Sequence, residues 1–299
     1  MERTDAQALR QAGKLFKKAV WGPRNPVKHV RQNYDALLGV HILPNNIDRK
    51  EIDVGPIEAD LLIPEIAADK RIILYAHGGG FVSGSRFSAR SLCASLAHES
   101  ASRVLVPEYR LAPEHPFPTP LEDMYHAYEY LIRERYPSSR ILLAGDGAGA
   151  NLALALAHNL ISRGLPRPAA LLLLSPWTDL TCEHAGLSVR KNADPIHTKD
   201  MLVGLAHQYT FQSNFTNPQV SPWFADYSNF LPMYIQCGSE EILLDDAKRL
   251  ASRAESAGNT VVLDIEPGMW HLFQAIDSLS PKAHIAVQRI GHWVRKADF

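Results

Sequence analysis

Four short stretches of this 299-residue chain carry the residue types that acyl transfer needs. His77 to Ser85 reads HGGGFVSGS, Gly145 to Gly149 reads GDGAG, Cys237 to Ala247 reads CGSEEILLDDA, and Pro267 to Gln274 reads PGMWHLFQ. Consecutive glycines let backbone N–H groups face a cavity with no side chain in the way. Such donors stabilise the oxyanion that forms when an ester carbonyl is attacked. The second stretch lies between a short apolar run and a long Ala/Leu run, and a Gly-x-Ser-x-Gly turn in that setting exposes a serine nucleophile. Here the central residue is Gly147, which has no side chain. Ala148 opens the following helix, so its N–H has no carbonyl one turn back and is a further donor at the turn. Glu240, Glu241, Asp245 and Asp246 fall near a helix start, where acids suit the dipole, and one of them could orient a histidine. His271 is the candidate base. Taken singly, each stretch also has a plain structural use: a tight turn, close helix packing, a dipole-matched acid, a core histidine. No G-x-x-x-x-G-K-[ST] occurs, so the glycines are not a phosphate loop.

The elements around these stretches alternate. Helical spacing covers AQALRQAGKLFKKAV and VKHVRQNYDALLGV, with WGPRNP breaking the run between them. Strands are expected at 49–55, 57–64, 71–76, 103–107, 140–144, 169–176, 231–238 and 260–267. Helices are expected at 88–100, 121–135, 150–164, 245–258 and 284–296. Short apolar runs bounded by glycine read as buried strands. The alternation implies an α/β fold, a mostly parallel sheet with helices on both faces. All four stretches sit where strands end, and ligands of open α/β sheets bind at the carboxyl ends of strands. The chain reads as a single domain over 1–299. Its core covers about 46–179 and 221–299, and cap elements cover about 1–45 and 180–220.

Composition narrows the rest. A chain 46% hydrophobic and 21% charged is ordinary for a globular protein. A net charge of −1 gives no electrostatic reason to bind nucleic acid or an anionic membrane. No apolar run spans a bilayer, and MERTDAQALRQ lacks the apolar core of a signal peptide. Cys93, Cys182 and Cys237 are scattered, with no C-x-x-C, and suggest neither a disulfide framework nor a zinc site. A cytoplasmic location is the expectation.

The stretches HGGGFVSGS, PEYRLAPEHPFP, GDGAGANLALALA, SPWTDL, CGSEEILLDDAKRLA and PGMWHLFQ together resemble the hormone-sensitive-lipase-like, or type IV, esterases of the α/β-hydrolase fold. They run from about residue 70 to the C-terminus, in the family's chain order of glycine loop, elbow, acid and histidine. SPWTDL and MWHLFQ most resemble the bacterial acetyl esterases and ε-lactone hydrolases. The resemblance implies a carboxylesterase with a helical cap, acting on short acyl esters or lactones without metal or organic cofactor. It places the base at His271, its carboxylate partner at Glu241 (Glu240 being the alternative), and oxyanion donors at Gly78, Gly79 and Ala148. The nucleophile falls on Gly147, and there the pattern is broken.

Three explanations compete. The chain is an isolated, engineered Ser-to-Gly variant of an active esterase, or a natural pseudo-enzyme that binds ester-like ligands. Otherwise the register is shifted and Asp146 is the nucleophile of an epoxide hydrolase or dehalogenase. The family routinely has aspartate before the serine, which accounts for Asp146 as a brace between loops. The intact base, acid and glycine loop favour the first explanation. Phe81, Asp146, Trp177, Phe211, Phe215 and Trp223 are candidates for the pocket. A small ester or lactone is the expected partner, and a second copy of the chain is a further candidate.

Overall fold

The computed structural model describes residues 13–17, 22, 25–39, 43, 46–68, 70–189, 194 and 196–297. The expected helix over AQALRQAGKLFKKAV falls largely outside these residues, though 13–17 are helical. Helix α1 (Val27–Leu38) buries Val30, Tyr34 and Leu38, one face at intervals of four. Strands β1 (Ile47–Val54), β2 (Ile57–Pro64) and β3 (Ile72–Ala76) precede α2 (Arg86–Ser100) and β4 (Arg103–Pro107). Helix α2 starts two residues before its expected position because Ser85 and Ser88 form a reciprocal capping box. Helix α3 (Thr119–Arg133), β5 (Ile141–Asp146), α4 (Ala148–Ser162) and β6 (Ala170–Leu174) follow, then α5 (Gly186–Val189) and α6 (Lys199–Tyr209). The chain closes with β7 (Met233–Gly238), α7 (Leu244–Ser256), β8 (Val261–Glu266) and α8 (Pro281–Lys296).

The eight strands form one sheet in the order β1-β2-β4-β3-β5-β6-β7-β8. The β1–β2 and β2–β4 pairs are antiparallel, and the rest are parallel. Every residue of β3, β5, β6 and β7 is buried, as both-face coverage requires. Alternate strand residues feed two separate cores. Leu74, Leu143 and Leu173 pack with α3, α4 and α7, whereas Tyr75, Leu142 and Leu172 pack with α2 and α8. The carboxyl ends of β3, β5, β6, β7 and β8 therefore lie along one edge. They carry His77 to Gly80, Gly147, Ser175, Glu241 and His271 respectively.

Candidate active site

The turn after β5 is built from close approaches. A β-carbon on Gly149 would collide with the carbonyl oxygens of Ala76 and His77, so only glycine lets α4 start this near to β3. Gly147 adopts φ 52° and ψ −112°, a region that L side chains occupy only under strain. Its N–H donates to the Leu174 carbonyl at 2.9 Å, and its carbonyl accepts from Trp177 N–H at 3.2 Å. A β-carbon built on Gly147 would meet His271 Cε1 at 3.3 Å and Nε2 at 3.4 Å, and, beyond its chain neighbours, no other described residue within 4 Å. The elbow therefore aims its missing side chain at the imidazole.

His271 follows β8 in the loop after Pro267. Its Nδ1 lies 3.7 Å from Glu241 Oε2, too long for a hydrogen bond. Glu241 is fully buried, while neighbouring Glu240 is exposed and bonds Ser239. The geometry thus brings Glu241, not Glu240, to the histidine. Asp246 instead accepts from Thr178, Asp179 N–H and His184, tying loops together. A residue that sequence reasoning passed over joins the acid to the base loop. The Ser175 hydroxyl donates to Glu241 Oε2 at 2.7 Å and accepts from Leu272 N–H at 3.4 Å. Burial, and the His197 imidazole beside it, hold His271 well below its ordinary 6.5. Glu241 opposes them from 3.7 Å. His271 is accordingly neutral near pH 7, the state a general base needs.

His197 was not anticipated. Its ring stands edge-on to His271, with centroids 4.5 Å apart and an 82° interplanar angle. Its Nδ1 is 3.9 Å from Asp194 Oδ2. Asp194 also accepts the N–H groups of Ile196, His197 and Ile242, so it ties the residue beside Glu241 to this second imidazole.

The glycine loop after β3 corrects the expected donor set. Gly78 N–H donates to Asp146 Oδ1 at 2.9 Å and is already engaged. Gly79 and Gly80, with Gly147 and Ala148, line the cavity. Asp146 is buried, accepts a second bond from the Tyr75 hydroxyl at 2.7 Å, and faces a different small cavity with Tyr75 and His77. Its carboxyl is pushed up to about 6 by burial, which those two donors partly offset. It braces β3 against β5 and does not line the cavity of His271. His77 stacks on Tyr109 and is pushed down to about 4 by burial.

Comparison with known proteins bears on the fold and the family. The alpha/beta hydrolase fold family matches residues 73–275. The crystal structure of an esterase from the bacterial hormone-sensitive lipase family superposes with a TM-score of 0.92 at 34% identity, over 97% of this chain and 98% of that one. The chain belongs to the α/β-hydrolase fold family, in its hormone-sensitive-lipase-like esterase branch. It is 37% identical over 246 residues to an acetyl-hydrolase of Streptomyces hygroscopicus, covering 82% of each. It is 35% identical over 233 residues to an esterase of Acinetobacter venetianus, covering 78% of this chain and 77% of the other. Relatives of this hydrolase are thus esterases and acetyl-hydrolases, which supports ester hydrolysis as its chemistry.

The hydrolase's cavity is narrow, about 40 Å³. Trp177 lines it, and so do Phe16, Tyr34, Leu202 and Leu205 from the two segments expected as cap. The other aromatic candidates lie elsewhere. Phe81 is buried in a stack on Tyr209, with centroids 3.8 Å apart. Phe215 packs on His207, and Trp223 lies under Arg249 at 3.9 Å. Phe211 is 83% exposed and lies beyond the end of α6. No helix among the described residues is long and apolar enough to cross a membrane.

Proposed function

We propose that the chain is a serine-type carboxylesterase for short acyl esters or lactones in which glycine stands at the nucleophile position, as an isolated Ser-to-Gly change. One observation carries the reading: a β-carbon built on Gly147 would stand 3.3 Å from His271 Cε1 and 3.4 Å from Nε2, with no other described residue beyond its chain neighbours within 4 Å. A hydroxyl there would hydrogen-bond to the base before attacking a carbonyl. His271 takes that proton, and Glu241, oriented by Ser175, stabilises the imidazolium. The N–H groups of Gly79, Gly80 and Ala148 receive the oxyanion; one such donor is worth about 10²–10³ in rate. The cap is assigned to the segments 1–45 and 180–220, whose described residues Phe16, Tyr34, Leu202 and Leu205 line the narrow cavity; that narrowness favours short acyl groups.

Asp146 is a poor nucleophile candidate, because its carboxylate is held by Tyr75 and Gly78 and turned from His271's cavity. The test is Gly147→Ser assayed with p-nitrophenyl acetate and butyrate. A gain of at least about 10³-fold is expected, since tethering a nucleophile is worth effective molarities of about 10⁵–10⁸ M. A folded Gly147→Ser protein with no gain contradicts the esterase reading and favours a ligand-binding pseudo-enzyme.

A further inference from the structure

We propose that Arg71 and Arg140, at the amino ends of β3 and β5, form a binding site for a phosphate group, on the edge of the sheet opposite His271. This site stands apart from the esterase site and does not depend on it. Ile72 of β3 pairs with Ile141 of β5, so the residues just before them, Arg71 and Arg140, enter the sheet side by side. Arg103, the first residue of β4, donates its backbone N–H to the Arg71 carbonyl at 3.3 Å. Lys70 lies exposed alongside. The chain as a whole has a net charge of −1, so this local excess of positive charge does not come from a basic protein overall.

Arg71 is the anomaly. It is only 8% exposed, and its Nε is buried without a hydrogen-bond partner. No ion pair joins Arg71, Arg103 or Arg140 to a described residue. Arg103 makes a single long bond, to the Ala68 carbonyl at 3.5 Å. Arg86, the other buried arginine among the described residues, meets four carboxylates, those of Glu51, Glu58, Asp60 and Glu108. A guanidinium stays charged in a protein, and a buried charge is costly unless it is paired. Burial, with the like charge of Arg140 beside it, holds the Arg71 pKa below its ordinary value. Water could accept the free N–H bonds but would not offset the charge. A phosphate does both. Its oxygens take two N–H bonds from one planar fork, and its two negative charges match two guanidiniums. A monocarboxylate brings one charge and fills one fork.

The experiment uses the chain as it stands. Inorganic phosphate is titrated by calorimetry near pH 8, where phosphate is largely dianionic, at constant ionic strength. Phenyl phosphate is titrated alongside, with acetate and chloride as monovalent controls. One phosphate per chain is expected, bound at least about tenfold more tightly than acetate. Arg71→Gln and Arg140→Gln are each expected to weaken it at least about tenfold. Arg71→Lys, which keeps the charge and loses the fork, is expected to weaken it as well. Should Arg71→Gln fold poorly, Arg140→Gln decides. In phosphate-free buffer Arg140→Gln should melt higher than the unsubstituted chain, since it removes the like charge, and phosphate should raise the Tm of the unsubstituted chain alone. Phenyl phosphate bound as well as the inorganic ion supports a site for a phosphate carried on an organic molecule; inorganic phosphate bound alone supports a site for the free ion. No saturable binding up to about 10 mM phosphate overturns the inference. Binding matched by acetate or chloride, an adventitious ion only, also overturns it, as does phosphate binding that both glutamine variants leave unchanged.

Discussion

Replacing Gly147 by alanine puts a β-carbon into the elbow without supplying a nucleophile, and its cost can be worked from the backbone. At φ 52° and ψ −112°, a non-glycine residue costs about 1–3 kcal/mol. Alanine also restricts the unfolded chain, which returns about 0.4–1 kcal/mol. The new carbon lies 3.3 Å from His271 Cε1, so the imidazole must shift by a few tenths of an ångström. The net expectation is a destabilisation of about 0.5–2 kcal/mol. Serine pays the same backbone strain but gains a hydrogen bond to Nε2 worth about 0.5–1.5 kcal/mol, so Gly147→Ser should be the more stable of the two. Urea unfolding of the two variants beside the unsubstituted chain measures this. Gly164→Ala is the control, because φ there is +64° and a β-carbon would meet no described residue beyond its chain neighbours within 4 Å. An alanine variant as stable as the unsubstituted chain would refute the strained-elbow reasoning. So would an alanine variant more stable than the serine one.

In the Gly147→Ser background, Glu241→Gln should lower kcat by about 10²–10⁴-fold. Ser175→Ala, which removes the bond that orients Glu241 and the acceptor of the Leu272 N–H, should cost about tenfold; steady-state kinetics with p-nitrophenyl acetate checks both. Replacing His197 by leucine keeps an apolar side chain against His271 and removes the imidazole whose protonation disfavours that of His271. With Glu241 left in place, the His271 titration midpoint should rise, read by NMR on the unsubstituted elbow; an unchanged or lower midpoint contradicts the assigned role of His197. His158 is half-buried, stacked on Phe230 and edge-on to Tyr227, and desolvation there pushes it from 6.5 down to about 4. The unfolded chain takes up a proton there below about 6.5, so this stability is full above that pH and is lost as pH falls towards 4. At about 1.4 kcal/mol per unit the loss is roughly 3 kcal/mol. His158→Phe should flatten the pH dependence of the unfolding free energy by about that amount.

The sequence is most informative where backbone geometry forces a residue type. The turns after β3, β5 and β8 were legible because strands end abruptly in glycine or proline there, and the periodic runs around them set the sheet. The choice between Glu240 and Glu241 was not legible from the residues, since adjacent positions at a strand end point opposite ways and only burial separates them. The triple glycine has no side chain to mark its register. Which of its N–H groups face the cavity depends on Asp146, a tertiary contact that takes Gly78. The cavity wall was the least readable part. His197, Leu202 and Leu205 come from a weakly patterned segment, and nothing in a run such as TFQSNF says that Phe211 faces solvent while Phe215 is buried. Ser175 could have been suspected from its place at the end of β6, beside the strands that carry the elbow and the acid.

The central claim is that a hydroxyl at position 147 completes a working nucleophile–base pair with His271. Intact-protein mass spectrometry after exposure to an alkyl p-nitrophenyl phosphonate tests it most directly. The account predicts one covalent adduct per Gly147→Ser molecule, mapped to the peptide holding position 147 and slowed at least about 10²-fold by His271→Ala. A folded Gly147→Ser protein that takes up no adduct, or takes it up at another residue, contradicts it.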